Sequence, residues 1–488
     1  MLEATLNEIL YVVNPLKNDV EIRMRIISEL RDVVSSIESL KGATVEPFGS
    51  FLSQLFSRWG DLDISIELSN GLHIMVPAKK HKQKLLGDLL KALRRTGSFW
   101  RLQFVSHARV PILKLESKIQ NISCDISVNN LTGHMKSKFM LWISLIDSRF
   151  RDMVLLVKEW AKANNINNPR SGTFNSYSLS LLVIFHFQTC APPILPPLKD
   201  LYPGNMADEL IGIRADMERR IEEIAVSNIA RFRKHRRANH CSLPELFISF
   251  LGKFLDISTR TTEQGVCTYS GQWENVSTNT RWLPKTHPII IEDPFEQPEN
   301  SARAVSQSQL ARIAHAFNNT YNLLIDPYQN RNTLIPSLVR PEISRFFPGA
   351  AFVIPRANFW PYPWSNQNAP HGSHSSSPSQ PQFQKMRQAK LNQPKNSKGR
   401  QNGKQPSPRQ GHTVNQQLQT ERPISQQLSV DRPNTGQQWH GQAPRPVLPQ
   451  IVTPPWPHTL QPSSNSGAPQ WPFKVSPAAQ AQQIWRQK

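Results

Sequence analysis

Phe48-Gly49-Ser50, ten further residues, then Asp61-Leu62-Asp63-Ile64-Ser65-Ile66 is the stretch on which the fold turns. Leu62, Ile64 and Ile66 alternate with polar neighbours, the period of a strand with one apolar face. On such a strand Asp61 and Asp63 lie one residue apart and point their carboxylates to the same side. Two hard oxygen ligands aimed at one spot suit a small divalent cation, which prefers carboxylates together with phosphate oxygens. Gly49-Ser50 upstream adds a tight turn and a hydroxyl able to reach a phosphate. Glycine and aspartate are also common turn residues, but the apolar continuation favours a strand bearing two catalytic carboxylates.

Two metal ions clamping an in-line displacement need more ligands than one Asp-x-Asp supplies. Asp125, in Asn121-Ile-Ser-Cys-Asp-Ile-Ser-Val128, lies on a second run of alternating apolar residues and is the candidate third carboxylate. Aspartate is depleted in strands, which weakens its reading as an ordinary exposed polar residue.

The remaining composition bounds the partners. The 488-residue chain carries a net charge of +21, which points to a polyanionic partner such as nucleic acid. Arg356–Lys488 contributes +13 of it, with 15 Lys/Arg and two acidic residues. The four cysteines, Cys124, Cys190, Cys241 and Cys267, form no C-x-x-C pair. Neither a zinc site nor a disulfide framework is expected, and a reducing compartment is. Met1–Pro15 has no basic n-region of a secretory signal. The longest apolar run, Leu179–Phe187, is too short to span a bilayer and reads as a buried core helix.

Residues 1–40 read as helices, with Val20, Met24, Ile27, Leu30 and Val34 on one face of the second. Residues 41–136 read as a small α+β unit. Its strands are Asp61–Glu67, Val110–Leu115 and Ile122–Val128, with a helix at Lys84–Arg94. Residues 137–330 read as mainly helical, 331–355 as a linker, and 356–488 as a disordered basic tail rich in Gln, Pro and Ser. In that tail Trp439, Trp456, Trp471 and Trp485 recur as isolated aromatics. Arg231-Phe-Arg-Lys-His-Arg-Arg237 is a dense basic cluster, a phosphate contact, an import signal or a solvated helix end.

Gly49-Ser50, Asp61-x-Asp63 and Asp125 together resemble the polymerase-β-type nucleotidyltransferase superfamily. Ile290-Ile-Glu-Asp-Pro-Phe295, followed by Asn300-Ser-Ala-Arg303, resembles the nucleotide-recognition motif of cytoplasmic-type poly(A) and poly(U) polymerases. Within that family the chain is most similar to plant terminal uridylyltransferases that tail small RNAs. The likeness runs from about residue 5 to 325. It implies an α+β fold: a polymerase-β-like nucleotidyltransferase domain inserted in a mainly helical central (PAP-associated) domain, with residues 1–40 packing against the latter.

The same resemblance implies roles for individual residues. Asp61, Asp63 and Asp125 would hold Mg²⁺ or Mn²⁺, and Asp125 would help activate an RNA 3′-hydroxyl. Phe48, Gly49 and Ser50 would cradle a terminal phosphate. Lys158 and Lys162, one helical turn apart, would bind the triphosphate. Ser176 would meet phosphate and Tyr177 would stack on the base. Asp293, Glu296 and Glu299 would read the nucleotide. The implied reaction is template-independent addition of UMP from UTP to RNA 3′ ends. Unmethylated microRNA and siRNA would be tailed and sent for degradation, in the cytoplasm, its RNA granules and the nucleus. The tail tryptophans resemble hooks that bind Argonaute proteins. An adenylyltransferase and an inactive RNA-binding scaffold are the alternatives. The chain departs from its relatives at three places: Glu299 stands where UTP-preferring members carry His, Lys136-Ser137 where many carry Asn-Thr, and Ser53-Gln54 where many carry Thr-Gly. None of these removes a metal ligand.

Overall fold

A computed structural model describes residues 1–68, 74, 77–119 and 121–347. The expected tail, 356–488, lies outside the described residues, as do its tryptophans. Among the described residues no helix is long and apolar enough to cross a membrane.

The N-terminal half begins with α1 (Leu2–Val13) and α2 (Lys17–Ser35). Then come β1 (Thr44–Phe48), the short α3 (Gly49–Leu52), β2 (Leu62–Glu67), α4 (Lys79–Thr96), β3 (Phe99–Val105), β4 (Ile112–Ser117) and β5 (Ser123–Val128). The five strands form one sheet in the order β1-β2-β5-β4-β3. β2 and β5 run parallel, and the other neighbours are antiparallel. A parallel pair needs a crossover, and α4, β3 and β4 all lie between β2 and β5 in the chain. The register of that pair sets Asp63 directly beside Asp125.

One face of the sheet buries Leu62, Ile64, Ile66, Leu113, Leu115, Ile126 and Val128 against α2 and α4. α2 contributes Ile22, Ile26, Ile27, Leu30, Val33 and Val34, and α4 contributes Leu85, Leu86, Leu89 and Leu93. Residues 1–40 therefore do not all pack with the helical domain, as was expected. α1 does so through Leu6, Ile9 and Val13, while α2 belongs to the sheet. The apolar stripes of both helices are alike in sequence, so only tertiary packing separates their destinations.

The helical half follows α5 (Leu131–Ser144), α6 (Ser148–Ala163) and α7 (Ser176–Gln188), the last buried from Ser178 onward as the Leu179–Phe187 run predicted. Its core gathers Trp160, Phe174, Phe185, Phe250, Phe254 and Phe317. Trp160 donates its indole N–H to Thr320 Oγ1 at 2.9 Å, which satisfies the polar end of a fully buried ring. A two-stranded hairpin, β6 (Gln264–Cys267) and β7 (Gln272–Asn275), breaks the helical pattern. It escaped sequence reading because both strands are only four residues long.

The expected linker is also corrected. Arg331–Leu338 is a helix, and Leu334, Ile335, Leu338, Val339, Ile343 and Phe347 are buried in the helical core beside α1 and α6. Each such side chain contributes roughly 1.5–3 kcal/mol of apolar burial. The segment is thus an integral part of the domain, at least to residue 347.

Candidate active site

The site is built where β1, β2, β5 and β4 present adjacent residues on the sheet face opposite α2 and α4. Phe48 pairs with Asp63, Asp63 with Asp125, and Asp125 with Lys114. The Lys114 ammonium is ion-paired with Asp125 Oδ2. Asp125 Oδ1 is buried and has no hydrogen-bond partner among the described residues. Burial raises the Asp61 and Asp63 carboxyls above the ordinary range, and repulsion from Asp125 adds to it; Asp63 reaches about 7. Carboxylates held this close, with cations that only partly offset their repulsion, mark a site suited to take up positive charge.

Gly49 fits here as no other residue would. Its φ is +64°, a left-handed conformation natural to glycine. A Cβ on it would lie 2.0 Å from Asp63 Oδ2. Its N–H donates to Ser137 Oγ at 2.7 Å, and Ser137 Oγ–H in turn donates to Gly133 O at 2.7 Å. Ser137 on α5 therefore fixes the turn that carries Ser50. Nearby, Gln54 sits at φ 59°, which gives a physical reason for glycine at that position in relatives.

The segment ahead of Asp61 is strapped from α2. Arg23 is wholly buried, and its guanidinium donates to Asp19 O at 2.9 Å, Arg58 O at 3.1 Å and Gly60 O at 2.6 Å. It also lies 4.8 Å from the Phe56 ring centroid. Nothing in the local sequence singled out this arginine, since it sits in an ordinary amphipathic helix.

Lys158 and Lys162 approach the carboxylates from α6. Lys158 donates to Leu55 O at 3.0 Å. Burial pushes its ammonium down to about 7, with repulsion from Lys162 adding and attraction from Asp63 opposing. Lys162 is lowered by burial and then by Arg340, while Glu159 and Asp61 oppose. Arg340 comes from the segment first read as a linker. Its Nε donates to Glu159 Oε1 at 2.8 Å, and its Nη2 is buried without a partner. This third cation was invisible in sequence because it follows a helix that sequence reading did not find.

The recognition half is held by the Glu292–Asn300 loop. Asn300 accepts from Ile291 N–H at 3.0 Å and Ala302 N–H at 2.9 Å, and donates to Ile289 O at 2.8 Å. Glu292 is fully buried and accepts from the Trp282 indole at 2.9 Å and the Cys267 thiol at 3.2 Å. With that loop anchored, Asp293 Oδ1 accepts from Tyr177 Oη at 3.2 Å and from Phe295 N–H at 3.1 Å. Lys136 on α5 pairs with both Asp293, at 2.5 Å, and Glu296. Burial would raise the Glu296 carboxyl, but Lys136 and then Arg109 hold it below its ordinary value. Glu299 is ion-paired with Arg109 at 3.4 Å and Arg303 at 3.0 Å. Asp293, Glu296 and Glu299, which the resemblance implied would read the nucleotide, each face a cation. The Ser176 hydroxyl accepts from Asn167 Nδ2 at 3.1 Å. The Arg231–Arg237 cluster ends the helix Arg214–His235 and docks in part, through Arg233 to Leu145 O and Arg236 to Asp147.

Comparison with known proteins follows this geometry closely. A family model described as the central palm domain of mitochondrial-like poly(A) RNA polymerase matches residues 2–144, the segment containing α1, the sheet and α5. Protein HESO1 of Arabidopsis thaliana is 56% identical over 344 residues, spanning 70% of this chain and 67% of that protein. The chain belongs to the HESO1 family of RNA nucleotidyltransferases. To this family's more distant relatives belongs terminal uridylyltransferase cid1 of Schizosaccharomyces pombe, 27% identical over 56% of this chain and 67% of that one. A solved structure of a cytoplasmic RNA terminal U-transferase is 25% identical with a TM-score of 0.56, covering 70% of this chain and 98% of its own. The polymerase-β-like fold expected of the family is the one observed.

A divalent metal is part of the chemistry that this superfamily implies. Among the described residues no group of three His, Cys, Asp or Glu side chains is closed into a ready coordination shell. The residues nonetheless fit one. The donor set is all oxygen, Asp125 Oδ1 is buried and unpartnered, and Lys114 already supplies a cation to the other oxygen.

Proposed function

We propose that the protein is a template-independent RNA 3′-terminal uridylyltransferase, transferring UMP from UTP to RNA 3′ ends. The observation that carries the reading is the register that sets Asp63 beside Asp125, with Gly49 against Asp63 and the Lys158–Lys162 pair approaching from α6. Support for uridylyl transfer comes from the likeness to cid1 and to the terminal U-transferase structure.

In this reading the RNA 3′-oxygen attacks the α-phosphorus of UTP. A new phosphorus–oxygen bond forms as the bond to the β-phosphate oxygen breaks, and pyrophosphate leaves. Asp61, Asp63 and Asp125 would hold Mg²⁺ or Mn²⁺, which when bound would neutralise charge on the reacting phosphates. Asp125 takes the proton of the attacking hydroxyl. Lys158 and Lys162 bind the β- and γ-phosphates, and phosphate oxygens restore Lys158 to its charged form. Ser50 contacts the terminal phosphate from the turn that Ser137 fixes. Positioning and charge neutralisation supply most of the catalysis, as in phosphoryl transfer generally.

The RNA is proposed to be a small RNA with a free terminal 2′-hydroxyl, such as unmethylated microRNA or siRNA, whose tailing promotes decay in the cytoplasm and nucleus. The basic tail and its Trp439, Trp456, Trp471 and Trp485 would bring the enzyme to Argonaute. Purified protein, short labelled RNA, Mg²⁺ and each nucleotide singly test the main reading. UTP is expected to give extension, and Asp61→Ala with Asp63→Ala to abolish it. Extension with no nucleotide refutes an enzyme, and better extension with ATP refutes uridylyl transfer. Deleting residues 356–488 is expected to weaken Argonaute binding while basal extension persists; undiminished binding refutes the tail's role.

A further inference from the structure

Lys136 has a geometry that the reaction described above does not use. Its ammonium carries three N–H donors. Asp293 Oδ2 and Glu296 Oε2 take two of them. The third has no hydrogen-bond acceptor among the described residues. The same ammonium lies 5.5 Å from the centroid of the half-buried Tyr177 ring. The Tyr177 hydroxyl is tied to Asp293, which also holds Lys136, so ring and ammonium are clamped to one carboxylate. A flat ring with a fixed donor beside it suits a planar heterocycle: the base stacks on the ring, and its edge meets the donor.

The position in the fold agrees. Ser137, the next residue on α5, binds the N–H of Gly49, and Gly49 abuts Asp63. The Tyr177–Lys136 pair is therefore coupled through one residue of α5 to the carboxylate centre.

Each carboxylate around the pair already faces a cation. Both Asp293 oxygens are bonded, Glu296 faces Lys136 with Arg109 at 3.6 Å, and Glu299 faces Arg109 and Arg303. What this cluster offers an incoming base is thus donors: the Lys136 ammonium and, from the β3–β4 loop, the Arg109 guanidinium. Pyrimidine and purine edges differ in just this respect. Position 4 of uracil is a carbonyl acceptor, whereas cytosine carries an amino donor at position 4 and adenine one at position 6. An ammonium, which only donates, attracts the first and repels the others.

We propose that Lys136 is the specificity-determining residue of this enzyme, selecting uracil by donating to its O4 while the base stacks on Tyr177. The role replaces one sought at Glu299, whose carboxylate is occupied by two arginines. It rests on the uridylyl-transfer reading, and the test separates the two.

Full-length wild type and Lys136→Met are compared with a short RNA and UTP, CTP or ATP, with a thermal melt as the folding control. A lost hydrogen bond to a charged donor corresponds to roughly tenfold or more in discrimination. The variant is expected to lose at least about tenfold in the ratio of kcat/KM for UTP over CTP and over ATP. KM for UTP should rise more than kcat falls, while Lys136→Arg keeps the preference. If Lys136→Met does not fold, Lys136→Gln carries the same expectation. The wild type supplies an independent measurement: 4-thio-UTP, a weaker acceptor at position 4, should be used less efficiently than UTP. Unchanged ratios in a folded neutral variant, or equal use of 4-thio-UTP, overturn this inference alone. A wild type that prefers ATP overturns it together with uridylyl transfer.

Discussion

A methyl group added at Gly49 would lie 2.0 Å from Asp63 Oδ2, 2.8 Å from Cγ and 3.0 Å from Cβ. Ordinary contact begins near 3.4 Å, so the oxygen must retreat by about 1.4 Å. The atoms closest to the methyl belong to a side chain that can rotate, and Asp63 can swing aside at small cost. The backbone adds more: a non-glycine residue at φ +64° costs about 1–2 kcal/mol. Folding stability should therefore fall only modestly in Gly49→Ala. Catalysis should fall much further, because misplacing a reacting group by about 1 Å costs on the order of 10²-fold. The expected outcome is kcat reduced at least about 100-fold with UTP and RNA, with a thermal midpoint that still reports a folded protein. Single-turnover extension against the wild type reads the first quantity and a melting curve the second. A folded Gly49→Ala protein that extends RNA at near wild-type rate would refute the placement of Asp63 as a catalytic carboxylate pressed against this turn.

Three further outcomes are expected. Arg23→Met keeps an apolar stem beneath Phe56 but strands the carbonyls of Arg58 and Gly60, each worth about 1–3 kcal/mol when buried and unpaired. kcat should drop because Asp61 loses its strap, and undiminished kcat in a folded variant would show that the strap positions nothing. Arg340→Gln should raise KM for UTP about tenfold through loss of a third cation beside Lys162, as measured by initial rates; an unchanged KM would confine Arg340 to holding Glu159. Burial and then Lys253 hold the His186 imidazole down to about 3, against an unfolded value near 6.5. The unfolded state then binds the proton more readily, so this contribution is complete above pH 6.5 and lost as pH falls towards 3. At pH 5 the loss is about 2 kcal/mol, and His186→Phe should show a correspondingly shallower fall in melting temperature between pH 7.5 and 5. Parallel falls for variant and wild type would refute it.

The catalytic half was legible in sequence because its signals are local. Asp61 and Asp63 share a face through the two-residue period of a strand, and Lys158 and Lys162 share one through the helical repeat. Asp125 needed the resemblance to name it, since one aspartate in a strand carries little information; the β2–β5 register then explains its place. What sequence reading mistook was long-range. The cations that face Glu299, Glu296 and Asp293 were not foreseen, because Arg109 lies far upstream in the β3–β4 loop and Lys136 lies on α5. Residues 331–347 looked like a linker, because a single short helix with Pro336 inside gives a weak periodic signal.

Sequence by itself determined the chemistry on offer: the Asp61-x-Asp63 pair, the glycine-serine turn and the paired lysines by local spacing, and Asp125 and the nucleotide-recognition motif by resemblance. Only the tertiary structure decided which charges remain available. Lys114 neutralises one oxygen of Asp125 and leaves the other bare. Arg340 arrives beside Lys162, Arg109 and Arg303 face Glu299, and Lys136, over the Tyr177 ring, has one donor without an acceptor among the described residues. The physical reason is that electrostatic partnership depends on distance through space and on burial, and neither is encoded in the spacing of residues along the chain.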